Sequence, residues 1–219
     1  MHCCLNPACH NPSEPDGTKF CSHCGFPLVI LRNRYRPIKS LGAGGFGKTY
    51  LAEDIDKLGE KCVIKQFAPQ IQETGALQKA AELFELEAKQ LQKLGENSQI
   101  PTLLAYFQDD NRLYLIQQFI DGHNLLERLQ HKGTYSEKDT RKLLEDLLNI
   151  LKVVHQWKVI HRDIKPENII QRRDGKVVLI DFGASKQLQN TIVIGQVKGT
   201  MIGSLGYAPL EQMQGGEAY

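Results

Sequence analysis

Val159-Ile160-His161-Arg162-Asp163-Ile164-Lys165-Pro166-Glu167-Asn168 decides how the rest of this chain is read. Within it an Asp, a Lys two residues on and an Asn five residues on are gathered by a turn that contains a proline. Phosphoryl transfer needs three such groups: a carboxylate for a hydroxyl proton, a cation beside the moving phosphate, and an amide oxygen for Mg²⁺. The same residue types also make ordinary charged surface turns. The reading therefore depends on the segments to either side.

Upstream stands Gly42-Ala43-Gly44-Gly45-Phe46-Gly47-Lys48-Thr49-Tyr50. Glycines at 42, 44 and 47 let backbone N–H groups approach phosphate oxygens with no Cβ in the way. Gly42 to Thr49 also satisfies the P-loop pattern, and Val177-Val178-Leu179-Ile180-Asp181 would pass for its second element, so a P-loop NTPase is a rival. A P-loop follows a buried parallel strand that reads continuously apolar, whereas Ile38-Lys39-Ser40-Leu41 alternates. It must also open a helix, and Tyr50 to Leu58 can be drawn as a short one, so that test is indecisive. The loop at His161 decides against the rival, because a P-loop enzyme has no use for it.

Between these stretches the pattern is alternately strand-like and helical. Cys62 to Phe67 reads as a strand with Lys65 on the face of Val63 and Phe67. Ala76 to Leu94 reads as a helix with an apolar stripe of Leu77, Ala80, Ala81, Phe84, Ala88, Leu91 and Leu94. Glu87 falls on that stripe, and a carboxylate on a buried face needs a cationic partner, for which Lys65 is the natural candidate. Leu103–Phe107 and Leu113–Ile120 flank a polar turn and predict a hairpin. Asn124 to His131 suggests a short helix. Ser136 caps a longer one, to about Gln156, with Leu143, Leu147, Ile150, Leu151 and Val154 inward. Asp174-Gly175 predicts a hairpin turn before Val177–Ile180, which ends in Asp181-Phe182-Gly183.

From Arg34 to Tyr219 these motifs resemble the eukaryotic-like (Hanks-type) Ser/Thr protein kinases of bacteria. The resemblance implies an α+β, two-lobed kinase fold: an antiparallel small-lobe sheet plus a helix over 31–119, and a partial helical large lobe over 120–219. It implies that Gly42, Ala43, Gly44, Gly45, Phe46 and Gly47 cover ATP, and that Lys65 reaches its α- and β-phosphates and pairs with Glu87. It assigns Asp163 as base, Lys165 as the phosphate-stabilising cation, and Asn168 and Asp181 as Mg²⁺ ligands. Gln117 becomes the gatekeeper, and Gln118 and Ile120 offer backbone groups to the adenine. Lys165 matches the Ser/Thr form of the loop rather than the tyrosine-directed one. Ala184 to Glu211 matches an activation loop, with Thr200 the phosphorylation candidate, Ser204 at the substrate-site hydroxyl, and Arg162 placed to pair with an added phosphate. Where the family has Ala-Pro-Glu this sequence has Pro209-Leu210-Glu211. The family's further large-lobe helices do not follow Glu211, so a C-terminally truncated kinase is expected. The alternative is a non-catalytic ATP-binding or interaction protein.

The first thirty residues have a different chemistry. Five of the six cysteines lie here, and Cys4, Cys9, Cys21 and Cys24 form two pairs across a turn-rich polar segment. Too few apolar side chains are present for a core, so four thiolates around a structural Zn²⁺ would have to order the piece. It looks like a zinc ribbon, with free or redox thiols as the alternative. Gly25 suits a tight turn that aims N–H groups at sulfur, while Cys3, His10 and His23 are bystanders. A closed four-sulfur site has no open position, so the module is expected to be structural and to bind a protein partner. Net charge is only +2, with 41% hydrophobic and 24% charged residues, which gives no field for nucleic acid. No leader pattern or membrane-length apolar run is visible, so a cytoplasmic enzyme acting on protein substrates is expected.

Overall fold

The structure, a computed structural model, describes residues 1–10, 12–44, 47–70, 73–95, 97–182 and 207. These form two compact units, one of Met1–Phe84 with Leu103–Phe119, the other of Glu85–Thr102 with the described residues from Ile120 onward. The first holds the strands β1 (His2–Cys3), β2 (Ser13–Glu14), β3 (Tyr35–Gly44), β4 (Gly47–Asp54) and β5 (Glu60–Phe67). Helix α1 (Thr74–Leu94) starts in it, and β6 (Leu103–Asp109) and β7 (Arg112–Gln118) complete it. The second adds β8 (Gly122–Asn124), α2 (Leu125–Lys132), α3 (Glu137–Gln156), β9 (Ile169–Arg172) and β10 (Val177–Leu179).

In the first unit, five strands form an antiparallel sheet in the order β3-β4-β5-β7-β6. Its hairpins follow from local chemistry. Asp110 and Asn111 both take positive φ, 43° and 58°, as a tight turn matching the twist of β6 and β7 requires. At the other hairpin Gly47 has φ 145°, and a Cβ there would lie 2.1 Å from the Gln66 carbonyl oxygen, so no other residue fits. The segment following that glycine is the strand β4, not a helix. This overturns the P-loop alternative: without a helix N-terminus behind it, the loop cannot hold phosphate in the P-loop manner.

Strand periodicity gives the sheet two different faces. Along β5, Cys62, Ile64 and Gln66 alternate with Val63, Lys65 and Phe67. The Cys62 face continues through Tyr50, Ala52, Tyr114 and Ile116, and it is roofed by Cys3 and Leu5 from the N-terminal segment. The cysteine-rich segment is thus part of the first unit's core.

Helix α1 begins two residues before its expected start. Its buried line is Ala76, Ala80, Leu83, Phe84, Glu87, Ala88, Leu91 and Leu94. Leu77 is 40% exposed and Ala81 only half-buried, which corrects the expected stripe. The contact face is turned toward Ala76 and Leu83, and Leu77 lies about 100° round the helix from Ala76. Phe84 packs at 5.4 Å from the Phe67 ring and 6.2 Å from Tyr106.

In the second unit, β8, β9 and β10 form a small antiparallel sheet with β9 in the middle. Asn124 and Glu127 make a reciprocal capping box at the start of α2, and the Ser136 hydroxyl accepts the Asp139 N–H at 3.1 Å to cap α3. Ile150 and Val154 of α3 are buried and Leu143, Leu147 and Leu151 half-buried, the expected inward face. The Asp174-Gly175 turn joins β9 to β10, with Gly175 at φ 81°. No helix among the described residues is long and apolar enough to cross a membrane.

Candidate active site

Pro166 starts a single 3₁₀ turn, Pro166–Asn168, where its missing N–H costs nothing and its fixed φ suits the turn. The turn carries Asn168 back to Asp163. Asn168 Nδ2 donates to the Asp163 carbonyl at 2.8 Å and to Asp163 Oδ2 at 3.1 Å, and Lys165 Nζ lies 3.2 Å from the same Oδ2. Asp163 and Asn168 are buried, whereas Lys165 remains about a quarter exposed. All three residues selected from the sequence therefore meet in one cluster. Since Asp163 offers only acceptors here, the Asn168 amide nitrogen must face it, which turns the amide oxygen the opposite way.

This cluster is tied to the end of β10. The Ile180 N–H donates to the Asn168 carbonyl at 2.9 Å, which places Asp181 next to the loop. His161, which the sequence reading passed over, provides a second tie. It is buried, its Nδ1 accepts the Asp163 N–H at 3.3 Å, and its Nε2 lies 3.0 Å from the Ile180 carbonyl. An accepting Nδ1 assigns the proton to Nε2, so the neutral ring donates to Ile180. The ring also packs 4.8 Å from Phe182. The only signal for this role was the position of His161, two residues before the acid. Arg162 and Asp181 both take left-handed φ, 64° and 63°, a conformation such side chains rarely hold without surrounding constraint.

The remaining expected site residues are placed as follows. Gly42 and Gly44 end β3 and Gly47 starts β4, with Ala43 paired to Lys48. Lys65 lies half-buried on β5 in the first unit, and Glu87 is buried on α1 in the second. Gln117 and Ile120 are buried and Gln118 is half-buried. Gly45, Phe46, Gly183, Thr200, Ser204 and 209–211 lie outside the described residues.

A second constellation lies in the first unit. The sulfurs of Cys4, Cys9, Cys21 and Cys24 all come within 4.8 Å of one another, with Cys4 to Cys24 at 3.6 Å and Cys9 to Cys21 at 3.8 Å. A tetrahedral Zn²⁺ with bonds of about 2.3 Å needs sulfurs about 3.8 Å apart, so the donor set has the right chemistry and span. None of the four is in a disulfide. The Asn6 N–H points at Cys4 Sγ at 3.4 Å, and Gly25, at φ 70°, turns the chain after Cys24. Chiefly the Phe26 backbone N–H, and after it the Asn6 side chain, holds the Cys24 thiol down to about 7, which favours thiolate. Cys3 points instead into the sheet core, where burial pushes its thiol up to about 11. His10 and His23 are exposed, their rings 5.0 Å apart, and neither belongs to the sulfur group.

The fold and this site define a protein kinase: the chain belongs to the protein kinase domain family, whose model matches residues 35–219. Among its relatives is Serine/threonine-protein kinase B of Synechocystis sp., 42% identical over 97% of this chain and 38% of the relative. Serine/threonine-protein kinase PknA of Nostoc sp. is 46% identical over 87% of this chain and 35% of its own length. The chain thus spans well under half the length of these curated relatives. A solved structure described as "PpkA-294 apo form" shares the fold, with a TM-score of 0.70 at 24% identity over 91% of this chain and 71% of that one.

Proposed function

We propose that this chain carries the catalytic machinery of a Ser/Thr protein kinase, moving the γ-phosphate of ATP to protein hydroxyls. The observation that carries the reading is the convergence of Lys165 and Asn168 on one carboxylate oxygen of Asp163. The Asn168 amide fixes Asp163 in orientation and directs its own oxygen outward, which suits a Mg²⁺ ligand alongside Asp181. The glycine hairpin Gly42–Gly47 would cover the phosphates with backbone N–H groups, and Lys65, supported by Glu87, would hold the α- and β-phosphates. Gln118 and Ile120 would take the adenine. When bound, ATP with Mg²⁺ supplies the phosphoryl group and the cationic charge that offsets its negative oxygens. Asp163 would receive the proton of the acceptor hydroxyl, with the Lys165 ammonium beside it balancing negative charge. Thr200 is the proposed activation-loop phosphosite, and Arg162 its electrostatic partner. Zn²⁺ on the four-cysteine cluster is read as structural, its fit resting on the sulfur spacing. Protein substrates follow from the kinase family, and a cytoplasmic setting is proposed with them.

Labelled ATP and Mg²⁺ with a generic protein substrate test the reading. Asp163→Ala should retain nucleotide binding and lose phosphate transfer by about 10²–10⁴-fold, the usual contribution of a positioned base. Equal transfer by wild type and variant would sink it.

A further inference from the structure

Hydrogen bonds attach the cysteine segment to each of three successive strands of the sheet. Ser13 Oγ donates to the Ile38 carbonyl on β3 at 2.7 Å, Lys48 Nζ on β4 donates to the Cys9 carbonyl at 2.5 Å, and Gln66 Nε2 on β5 donates to the Leu5 carbonyl at 2.9 Å. The middle bond joins the sulfur cluster to the glycine-rich hairpin. Cys9 contributes its sulfur to the four-thiol cluster and its carbonyl to Lys48. Lys48 follows Gly47 directly and pairs across the hairpin with Ala43, inside the glycine-rich turn. Alternation along β4 puts Lys48 on the side of Tyr50 and Ala52, the side the cysteine segment roofs.

We propose that Lys48 is a positioning residue: it fastens the glycine hairpin to the metal-loaded cysteine module, so that metal and nucleotide bind with positive coupling. The inference rests on the kinase and zinc readings above and adds a connection between them. A metal fixes Cys9, the Cys9 carbonyl fixes Lys48, and Lys48 holds the start of β4 where backbone N–H groups must meet phosphates. An ordered hairpin binds nucleotide without first losing its own freedom. Linkage then requires nucleotide to tighten metal by the same factor.

The test uses the whole chain with its zinc and reads the dissociation constant for ATP·Mg²⁺ by calorimetry. Lys48→Met should retain one zinc and bind nucleotide about tenfold more weakly, the size one charge-assisted hydrogen bond supports. Lys48→Arg, which keeps a cationic donor, should recover most of that loss. Chelation should weaken nucleotide binding by the wild type about as much, yet add little to Lys48→Met, and saturating nucleotide should tighten zinc in the wild type only. Zinc-loaded Lys48→Met binding nucleotide within about twofold of wild type overturns the proposal. So does a chelation effect of full size in Lys48→Met, since Lys48 would then act on the nucleotide directly. Wild type that carries zinc but binds no nucleotide overturns the kinase reading together with the coupling. Wild type that purifies without zinc overturns the zinc reading and the coupling, and leaves the kinase reading standing.

Discussion

Gln66→Leu is the sharpest perturbation of the way this chain is assembled. Gln66 is 1% exposed, and its amide is engaged at both ends: Nε2 donates to the Leu5 carbonyl at 2.9 Å and the Tyr114 hydroxyl at 3.2 Å, while Oε1 accepts the Tyr50 hydroxyl at 3.2 Å. Burial pushes both phenols upward, so both remain protonated donors. Leucine nearly fills the same volume and leaves no large cavity. It does strip the Leu5 carbonyl of its donor and the Tyr50 hydroxyl of its acceptor. A buried polar group left without a partner costs about 1–3 kcal/mol, so two such groups should cost about 2–6 kcal/mol together. With a urea m-value of about 2 kcal/mol/M, the unfolding midpoint should fall by about 1–3 M. Far-UV circular dichroism measures that midpoint. Hydrogen exchange should show faster exchange in the first unit's N-terminal residues, because the lost partner is theirs. A midpoint moved by less than about 0.3 M at unchanged m, with exchange unaltered, would refute the view that this network holds the cysteine segment to the sheet.

Two further predictions concern the first unit. Arg34 grips the buried Asp54 carboxylate with two hydrogen bonds of 2.8 Å, and that contact holds the Asp54 carboxyl below the usual carboxylate range. A depressed folded-state value means the stabilisation is complete above the unfolded carboxyl value near 4 and is lost as pH falls through the folded one. Removing these charge-assisted hydrogen bonds with Asp54→Asn should cost about 1.5–3 kcal/mol at pH 7, and the gap to wild type should narrow in acid unfolding titrations below about pH 4; a constant gap would contradict the assignment. Elemental analysis checks the proposed zinc site: wild type should carry one zinc per chain, Cys9→Ala should carry none, and Cys3→Ala, whose sulfur lies in the sheet core, should carry one. Zinc loss from Cys3→Ala would reassign the ligands.

Much of this was legible in the sequence where the deciding interactions are local. Asp163, Lys165 and Asn168 lie within six residues, and a proline turn closes over so short a span with few options. Ser136, Asn124 and the Asp174-Gly175 pair announce their cap and turn geometry through their own side chains or backbone freedom. The cysteine spacing likewise predicted the four-sulfur convergence, because only thiol pairs at that reach can surround one centre. The buried line on α1 was less legible. Leu77 and Ala76 fit helical periodicity almost equally, and only the surface the helix packs against decides between them.

What the tertiary structure alone decided is where the cysteine segment sits and what it touches. Its partners Lys48 and Gln66 are separated by 39 and 61 residues from the Cys9 and Leu5 groups they bind. Those groups are backbone carbonyls, which every residue carries, so no side chain at either position advertises the contact. The sequence could identify a strand with Lys65 on one face. It could not say that the opposite face, through Gln66, is covered by the first residues of the same chain, because burial on that side comes from long-range docking rather than from the strand's own pattern.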